Sequence, residues 1–529
     1  MAGDPGRTRA RSSGARERDP WLFALLALVA AIGFLSMPAV RYDGDVNAWE
    51  MEAESLVYQG RLVVRASVAE SVEASAPYFV FNADTGNWHS KYGIGNTFIY
   101  ALPLAFERFV LGQSELSAPS NVFGETSGPY HITRRLLLLN GFNLLLSGLL
   151  ALVLYRLARR HTDSGLTGLL FVLACLYSTY LWNYTRAQSS QIYQVLFFSS
   201  ALLFWLRFAG RSSQETRAGG GEPLWSSRDL LWCVLSISAL CLVRLAFTPL
   251  IAILGVGLVL VGWDVRSSLA THVISQLRNN AKLYLFFGVV PLVAIFTVVL
   301  WVNDFKFGSP FKLGYERETN LFGGSLAESV PAYLFAPRHS IFVHFPLLAV
   351  ALFGIPQLWR QHRAELWVTW AGFVSMFFIY GSYTYWAGEA CYGPRYLLFA
   401  LPALSLPAVM VVDRLRRAKN GAPKAIASLA LVTLILGSSY AQTFVNRLEF
   451  HSFFRLRKQF QLMDRRDPTL GNYLRNANTA SFNRDFIRYR EQGLVPTPLR
   501  QLEAKLSKER YRNLEASVRA QLESNHYFW

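Results

Sequence analysis

Residues 136–160 read LLLLNGFNLLLSGLLALVLYRLARR, an apolar run with no acidic residue that ends in Arg156, Arg159 and Arg160. A helix needs about 20 mostly apolar residues to cross the hydrocarbon core of a bilayer, and this run supplies them. The arginines at its end mark the side on which that end stays, because short basic loops remain cytoplasmic. Working outward, further apolar runs lie near 21–40, 166–183, 192–209, 229–245, 247–263, 283–302, 341–358, 366–386, 396–412 and 425–441. The expected fold class is therefore all-α, a polytopic transmembrane helical bundle of about eleven spans.

Composition excludes an ordinary soluble domain. Of 529 residues, 52% are hydrophobic and 16% charged, against about 25% charged in soluble proteins. A net charge of +17 would suggest a nucleic-acid partner in a soluble chain. Here the basic residues collect between spans, so the charge is a topology signal and no nucleic-acid partner is expected. Arg207, Arg211, Arg217 and Arg228, then Arg266, Arg278 and Lys282, then Arg360 and Arg363, then Arg414, Arg416, Arg417, Lys419 and Lys424 all fall on the side of the N-terminus.

The N-terminus itself carries Arg7, Arg9, Arg11, Arg16 and Arg18 ahead of the first run, which is too long for a signal peptide and lacks a clear small-residue cleavage site. It is expected to be a retained anchor, and the protein a multi-pass component of the inner (plasma) membrane with a cytoplasmic N-terminus. This divides the chain into a basic cytoplasmic segment 1–20, a transmembrane domain 21–441 with extracytoplasmic loops 41–135 and 303–340, and a helical tail 442–529. Parity alone puts that tail outside. The apolar stretch from Gly93 to Gly112 would invert every later loop if it crossed, and it holds Glu107 and Arg108. It reads as an interfacial or re-entrant segment, so the first outer loop should carry juxtamembrane helices; a true span with one of the weaker runs demoted instead is the competing reading. Gly219, Gly220 and Gly221 mark a flexible linker between basic flanks. Cys175, Cys233 and Cys241 lie inside apolar runs and Cys391 alone in a loop, a pattern that suggests neither a disulfide nor a zinc site.

The outer loops concentrate ionisable and aromatic residues, and that asymmetry is the functional clue. Where the anchor leaves the bilayer the chain reads Arg41-Tyr-Asp43-Gly-Asp45-Val-Asn-Ala-Trp49-Glu50. Two carboxylates separated by one glycine can share a divalent cation, magnesium or manganese, or leave one as a general base. The same spacing also suits a turn that caps a helix. Trp88-His89-Ser90-Lys91-Tyr92 sets a cation among aromatics, suited to a lipid phosphate and equally to interface anchoring. Two later loops, from Asn303 to Glu316 and from Ala336 to His344, open on the same face, as does Tyr385 to Tyr396. In the last, Arg395 can clamp phosphate oxygens bidentately while Glu389 orients it or a sugar hydroxyl; a salt bridge pinning two helices is the competing reading. Arg244 interrupts a nearly continuous apolar stretch from Leu230 to Trp263, which suggests the apex of a helical hairpin pointing outward toward the same site.

Set in order, these loops resemble the bacterial GT-C superfamily of membrane enzymes that use polyprenyl-phosphate sugars, including protein mannosyltransferases and arabinosyltransferase-like members, over roughly residues 20–440. Asp43-Gly-Asp45 through Glu54-Ser55-Leu56 resembles that family's acidic element and following helix. His89-Ser-Lys91-Tyr-Gly93 resembles its Ser-Lys-aromatic element without the usual proline. Phe307-Gly308-Ser-Pro310 to Tyr315, Pro337-Arg338-His339-Ser-Ile-Phe342 and Tyr392-Gly-Pro-Arg395-Tyr396-Leu-Leu398 resemble three later signatures. Near Trp182, where the family often has His or Glu, this chain reads Arg186-Ala-Gln-Ser-Ser-Gln191, and Gln191 is neither acid nor base.

The resemblance implies a hexosyl- or pentosyltransferase moving a sugar from a polyprenyl-phosphate donor to an envelope acceptor, whether glycan, lipid or protein. Asp45 would be the base with Asp43 second; His89, Lys91, Arg244, Arg338, His339, Glu389, Tyr392, Arg395 and Tyr396 would bind donor phosphate or substrate. A lipid or solute transporter or flippase is the alternative. Such folds tend to carry internal repeats and midplane sites, whereas no repeat is evident here and the ionisable residues gather on one face.

Overall fold

The computed structural model describes residues 19–37, 45–64, 79–113, 134–186, 188–218, 224–260, 268–315, 321–336, 339–388 and 393–447. The helical character expected from the sequence is present. Helix α1 (Pro20–Leu35) starts where Asp19 accepts a bond from the Trp21 amide at 3.1 Å and Pro20 occupies the first turn, whose free N–H groups lack intrahelical partners. Outside the bilayer-length helices lie α2 (Asp45–Gln59), an antiparallel hairpin of β1 (Phe79–Asn82) and β2 (Asn87–Ser90), and α3 (Ile94–Phe109). Then follow α4 (Arg134–Ala158), α5 (Gly165–Tyr177), α6 (Ser190–Ala218), α7 (Leu224–Val243), α8 (Pro249–Leu260) and α9 (Leu269–Phe307), the last with a π-helical turn at Leu285–Val289. The chain closes with α10 (Leu326–Phe335), α11 (Arg363–Gly381), α12 (Arg395–Arg417) and α13 (Ala422–Arg447).

Among the described residues, six helices are long and apolar enough to cross a membrane: Leu137–Ala158, Ser190–Gly210, Leu269–Phe307, Arg363–Gly381, Arg395–Arg417 and Ala422–Thr443. Three shorter apolar helices, Pro20–Leu35, Gly165–Tyr177 and Leu245–Leu260, accompany them. The eleven spans expected are thus not matched by eleven helices of span length. The run at 341–358 is broken into Ile341–His344, Leu347–Leu352 and Ile355–Gln361, because Pro346 and Pro356 lack the N–H that a continuing helix requires. The run at 229–245 stops at Val243. A second difference is the β-hairpin between α2 and α3, whose register pairs Phe79 with Ser90 and Val80 with His89.

The bundle has a centre and a rim. α12 and α6 have 89% and 78% of their apolar windows buried, whereas α9 and α13 have 11% and 6%. Phe198 of α6, Phe399 of α12 and Phe247 meet edge to face with centroids 5.0 Å apart, a geometry aromatic pairs prefer. α3, with 16 residues and a charged last turn, packs against α2. Its Glu107 meets Arg135 at 2.8 Å and accepts from the Tyr58 hydroxyl at 3.1 Å, while Arg135 also meets Glu54 at 2.6 Å. Both carboxylates whose burial would be costly alone are thereby paired. The linker at 219–223 and the tail beyond Arg447 lie outside the described residues.

At the ends of α4, α11 and α12 that carry Arg159, Arg363 and Arg416, a separate seam closes the bundle. His161 Nε2 meets Glu365 Oε1 at 2.8 Å, Thr162 donates to Asp413 at 2.9 Å, and Arg417 meets Asp413 at 2.7 Å. The opposite ends of the same helices hold the residues described next.

Candidate functional site

Arg244 sits in extended backbone (φ −156°, ψ 113°) between α7 and a 3-10 turn at Leu245–Phe247. Three contacts hold that break in position. The Asn96 side-chain amide donates to the Val243 carbonyl at 3.0 Å, the Tyr193 hydroxyl donates to Asn96 Oδ1 at 2.5 Å, and α3 begins flat against the chain at 242–243. Glycine is required for that approach: a Cβ on Gly95 would lie 2.7 Å from the Val243 nitrogen, and one on Gly93 2.4 Å from the Leu242 carbonyl oxygen. Backbone cannot swing aside as a side chain can. Gly95→Ala is therefore expected to cost about 1–3 kcal/mol as an overpacked contact, read as a lowered unfolding temperature of the purified protein, with Ala101→Gly on the same helix as a comparison.

Arg395 opens α12, and its position is set from behind by Tyr180, whose hydroxyl donates to the Pro394 carbonyl at 3.1 Å. Gly393, with φ 67°, presses on that ring so closely that a Cβ would be 2.6 Å from it. The two arginines, 151 positions apart in sequence, converge on one tyrosine pair. Tyr380 and Tyr396 stack with centroids 5.0 Å apart and planes 14° from parallel. The Arg244 guanidinium carbon is 5.0 Å from the Tyr396 centroid and 5.8 Å from that of Tyr380; that of Arg395 is 5.0 Å from Tyr396, whose hydroxyl accepts from Arg395 Nη2 at 3.2 Å. Each cation is attracted by the ring faces, but the two repel one another. An anion between them would relieve that repulsion and meet planar donor groups suited to phosphate oxygens.

Lys91 approaches from β2, its ammonium 5.1 Å from the Tyr315 ring centre and 5.5 Å from that of Tyr92. Gly314, with φ 77°, lets the 307–315 loop close on Lys91 so tightly that a Cβ would be 2.9 Å from its carbonyl oxygen. Tyr315 is also within electrostatic range of Arg244. Of the residues singled out in the sequence, Lys91, Arg244, Arg395 and Tyr396 are thus gathered around one group of tyrosines. His339 stands behind it, nine-tenths buried, its ring 5.3 Å from Trp386. Asp45 is the first residue of α2, with its backbone alone described. Asp43, Arg338, Glu389 and Tyr392 lie outside the described residues. No group of three or more potential metal ligands occurs among the described residues, and the Asp43–Asp45 pair falls outside that statement.

His89 departs from expectation. Instead of facing a ligand it is fully enclosed by the hairpin, with its ring 5.5 Å from Phe305 and Nδ1 3.9 Å from Glu52. Burial, reinforced by the Lys306 charge, pushes its pKa from 6.5 down to about 4. The folded protein therefore holds this ring neutral, and the unfolded chain binds an extra proton as pH falls from 6.5 towards 4. Stability contributed above pH 6.5 is lost across that window, amounting to about 3 kcal/mol at its lower end. His89→Phe should flatten the dependence of the unfolding temperature between pH 7 and pH 4.

Beside it is a pair that the sequence reading passed over. Glu52, on α2, is fully buried and accepts from the Thr97 hydroxyl at 2.6 Å, the Ser90 amide at 3.2 Å and the Lys306 ammonium at 3.1 Å. Lys306 also donates to the Tyr92 carbonyl at 3.1 Å. The available signal was a lysine in the last turn of a helix that is apolar from 283 to 302, where an unpaired charge would be costly.

Neither a protein-family model nor a curated protein matches the sequence. Among solved structures the fold is similar to that of the archaeal oligosaccharyltransferase AglB from Archaeoglobus fulgidus. The structure of AglB with an inhibitory peptide and a dolichol-phosphate shows 14% identity and a TM-score of 0.45, over 80% of this chain and 55% of that one. The form tethered to an acceptor peptide shows 13% identity and a TM-score of 0.46, over 80% of this chain and 55% of that one. The chain spans little more than half the length of those it resembles.

Proposed function

We propose that this membrane protein is a GT-C-like glycosyltransferase that moves a sugar from a polyprenyl-phosphate donor to an envelope acceptor on the extracytoplasmic face. The observation that carries the reading is the pair Arg244 and Arg395 sharing Tyr396, at helix ends opposite those bearing the basic inner clusters. Two guanidinium groups on aromatic supports at a membrane boundary suit a phosphate monoanion brought laterally by its lipid, with Lys91 as a third cation. The loop order that resembles GT-C enzymes supplies the rest. Asp45 takes the proton of the acceptor hydroxyl, the freed oxygen attacks the anomeric carbon from the face opposite the phosphate, and the bond from that carbon to the phosphate oxygen breaks. The electron pair leaves with the lipid phosphate, whose added charge the arginines hold, so no proton need be delivered to it. One displacement of this kind inverts the anomeric centre.

The test is transfer of radiolabelled sugar from a panel of polyprenyl-phosphate donors by membranes carrying the wild type or Asp45→Asn. Loss of transfer by about 100-fold or more at equal expression is expected from removing a general base. Equal transfer by both would remove Asp45 from that role, and transfer by neither would favour a transporter. Loss of wild-type transfer on chelation, restored by magnesium or manganese, would show that the reaction needs a divalent cation, for which Asp43 and Asp45 are the proposed ligands.

A further inference from the structure

Between the anchors of the two arginines lies a buried patch of amides and hydroxyls that the proposed chemistry leaves unused. It forms where α5 gives way to α6, at the stretch from Arg186 to Gln191, which has a buried arginine but no His or Glu. Asn140, Gln188, Ser190, Gln191 and Gln194 are all less than a tenth exposed. Much of the patch satisfies itself: Gln194 donates to Ser190 at 3.1 Å, Ser189 to Gln191 at 2.6 Å, and Gln188 Nε2 reaches Asn140 Oδ1 at 3.5 Å. Gln188 Oε1, however, is buried with no hydrogen-bond partner among the described residues. A buried carbonyl left so is costly, and in a helix bundle surrounded by lipid it has no bulk water to turn to.

The patch also has a defined position. Tyr193, on the same α6 turn, bonds Asn96 and through it the carbonyl preceding Arg244. Asn143, one turn along α4 from Asn140, donates to the carbonyls of Tyr184 and Thr185 at 3.2 and 2.8 Å, and the Tyr184 ring lies 6.1 Å from Tyr180, which fixes the carbonyl preceding Arg395. Hydroxyls of a sugar ring both donate and accept, as amide side chains do, and the patch contains no carboxylate that would compete for the donor.

We propose that this patch receives the sugar ring of the lipid-linked donor, with Gln188 Oε1 accepting from one of its hydroxyls. The inference rests on the glycosyltransferase reading and names the part of the site that distinguishes a sugar-bearing lipid from its bare phosphate. It is tested by binding, which needs no acceptor. Protein in nanodiscs is titrated with short-chain polyprenyl phosphate and with the same lipid carrying glucose, mannose, galactose or arabinose. Wild type is expected to prefer at least one sugar-bearing lipid. Gln188→Leu should reduce that preference about fivefold, the worth of one hydrogen bond, without altering affinity for polyprenyl phosphate, and Gln188→Asn should retain part of it. Gln191→Leu serves as the second variant if Gln188→Leu does not fold. Preference unchanged in the leucine variants, or no preference in wild type while both lipids bind, overturns this inference alone. Failure of wild type to bind any of these lipids overturns the proposed function as well.

Discussion

Replacing Arg395 with alanine is expected to lower kcat/KM for the lipid-linked donor by about 10- to 100-fold, and Arg244→Ala by a similar factor. A hydrogen bond between charged partners contributes about 1.5–3 kcal/mol, which corresponds to those factors. The two losses should not multiply. Both groups lie on Tyr396, within 5.0 Å of its ring centre, so if they hold one phosphate the double variant loses less than the product of the singles. Lysine at either position keeps the charge but not the planar fork or the stacking on tyrosine, and should restore only part of the rate. Arg363→Ala, at the opposite helix end, is the comparison and should stay within about twofold, as surface changes away from a site usually do. Unchanged kinetics in both Arg244→Ala and Arg395→Ala would remove the phosphate clamp from the mechanism.

The second large effect is on stability. Lys306→Met leaves Glu52 buried with its charge uncompensated, and breaking a buried ion pair in this way costs about 3–5 kcal/mol. Neutralising the partner as well should return most of that loss, because the Glu52→Gln/Lys306→Met protein buries an amide that can still bond Thr97 and Ser90. Thermal unfolding of the two single variants and the double variant reads the coupling directly. Equal destabilisation in the double variant and in Lys306→Met alone would mean that the lysine acts through its bond to the Tyr92 carbonyl rather than through Glu52.

Helical character was legible because hydropathy acts over one helix at a time: the run at 136–155 needs no tertiary partner to be read, whereas the count of eleven spans was not matched, since prolines such as Pro346 and Pro356 cut apolar runs into short helices. Arg244 was legible for a related reason, since a lone charge between two apolar runs has few places to go. What escaped depends on contacts between distant segments. The hairpin strands have four residues each, too few for alternation to stand out, and they are fixed by docking: Asn82 donates to the Phe305 carbonyl at 2.9 Å across 223 positions. His89 read as a phosphate ligand because aromatic and cationic neighbours in sequence suggest a surface, whereas pairing with Val80 in β1 turns it inward. Glu52 looked like any acid on an amphipathic helix until Lys306 was seen beside it. The buried amides at 188–194 were visible as residues, but nothing local says that they face one another.

The bond from Lys306 to Glu52 closes a loop of 254 positions, and that separation has a timetable. At about 5–20 residues added per second, roughly 10–50 s pass between synthesis of Glu52 and the arrival of its lysine. Through that interval α2 stands with its acid unpaired and the hairpin is without the 305–315 segment to dock on. The site can be completed only when α9 has been inserted in the right direction, so a nascent chain that misorients this helix strands Glu52 without its cation. Correct insertion of α9 is in this way a condition for a folded site, and truncations ending before Phe307 should leave residues 45–113 open to protease.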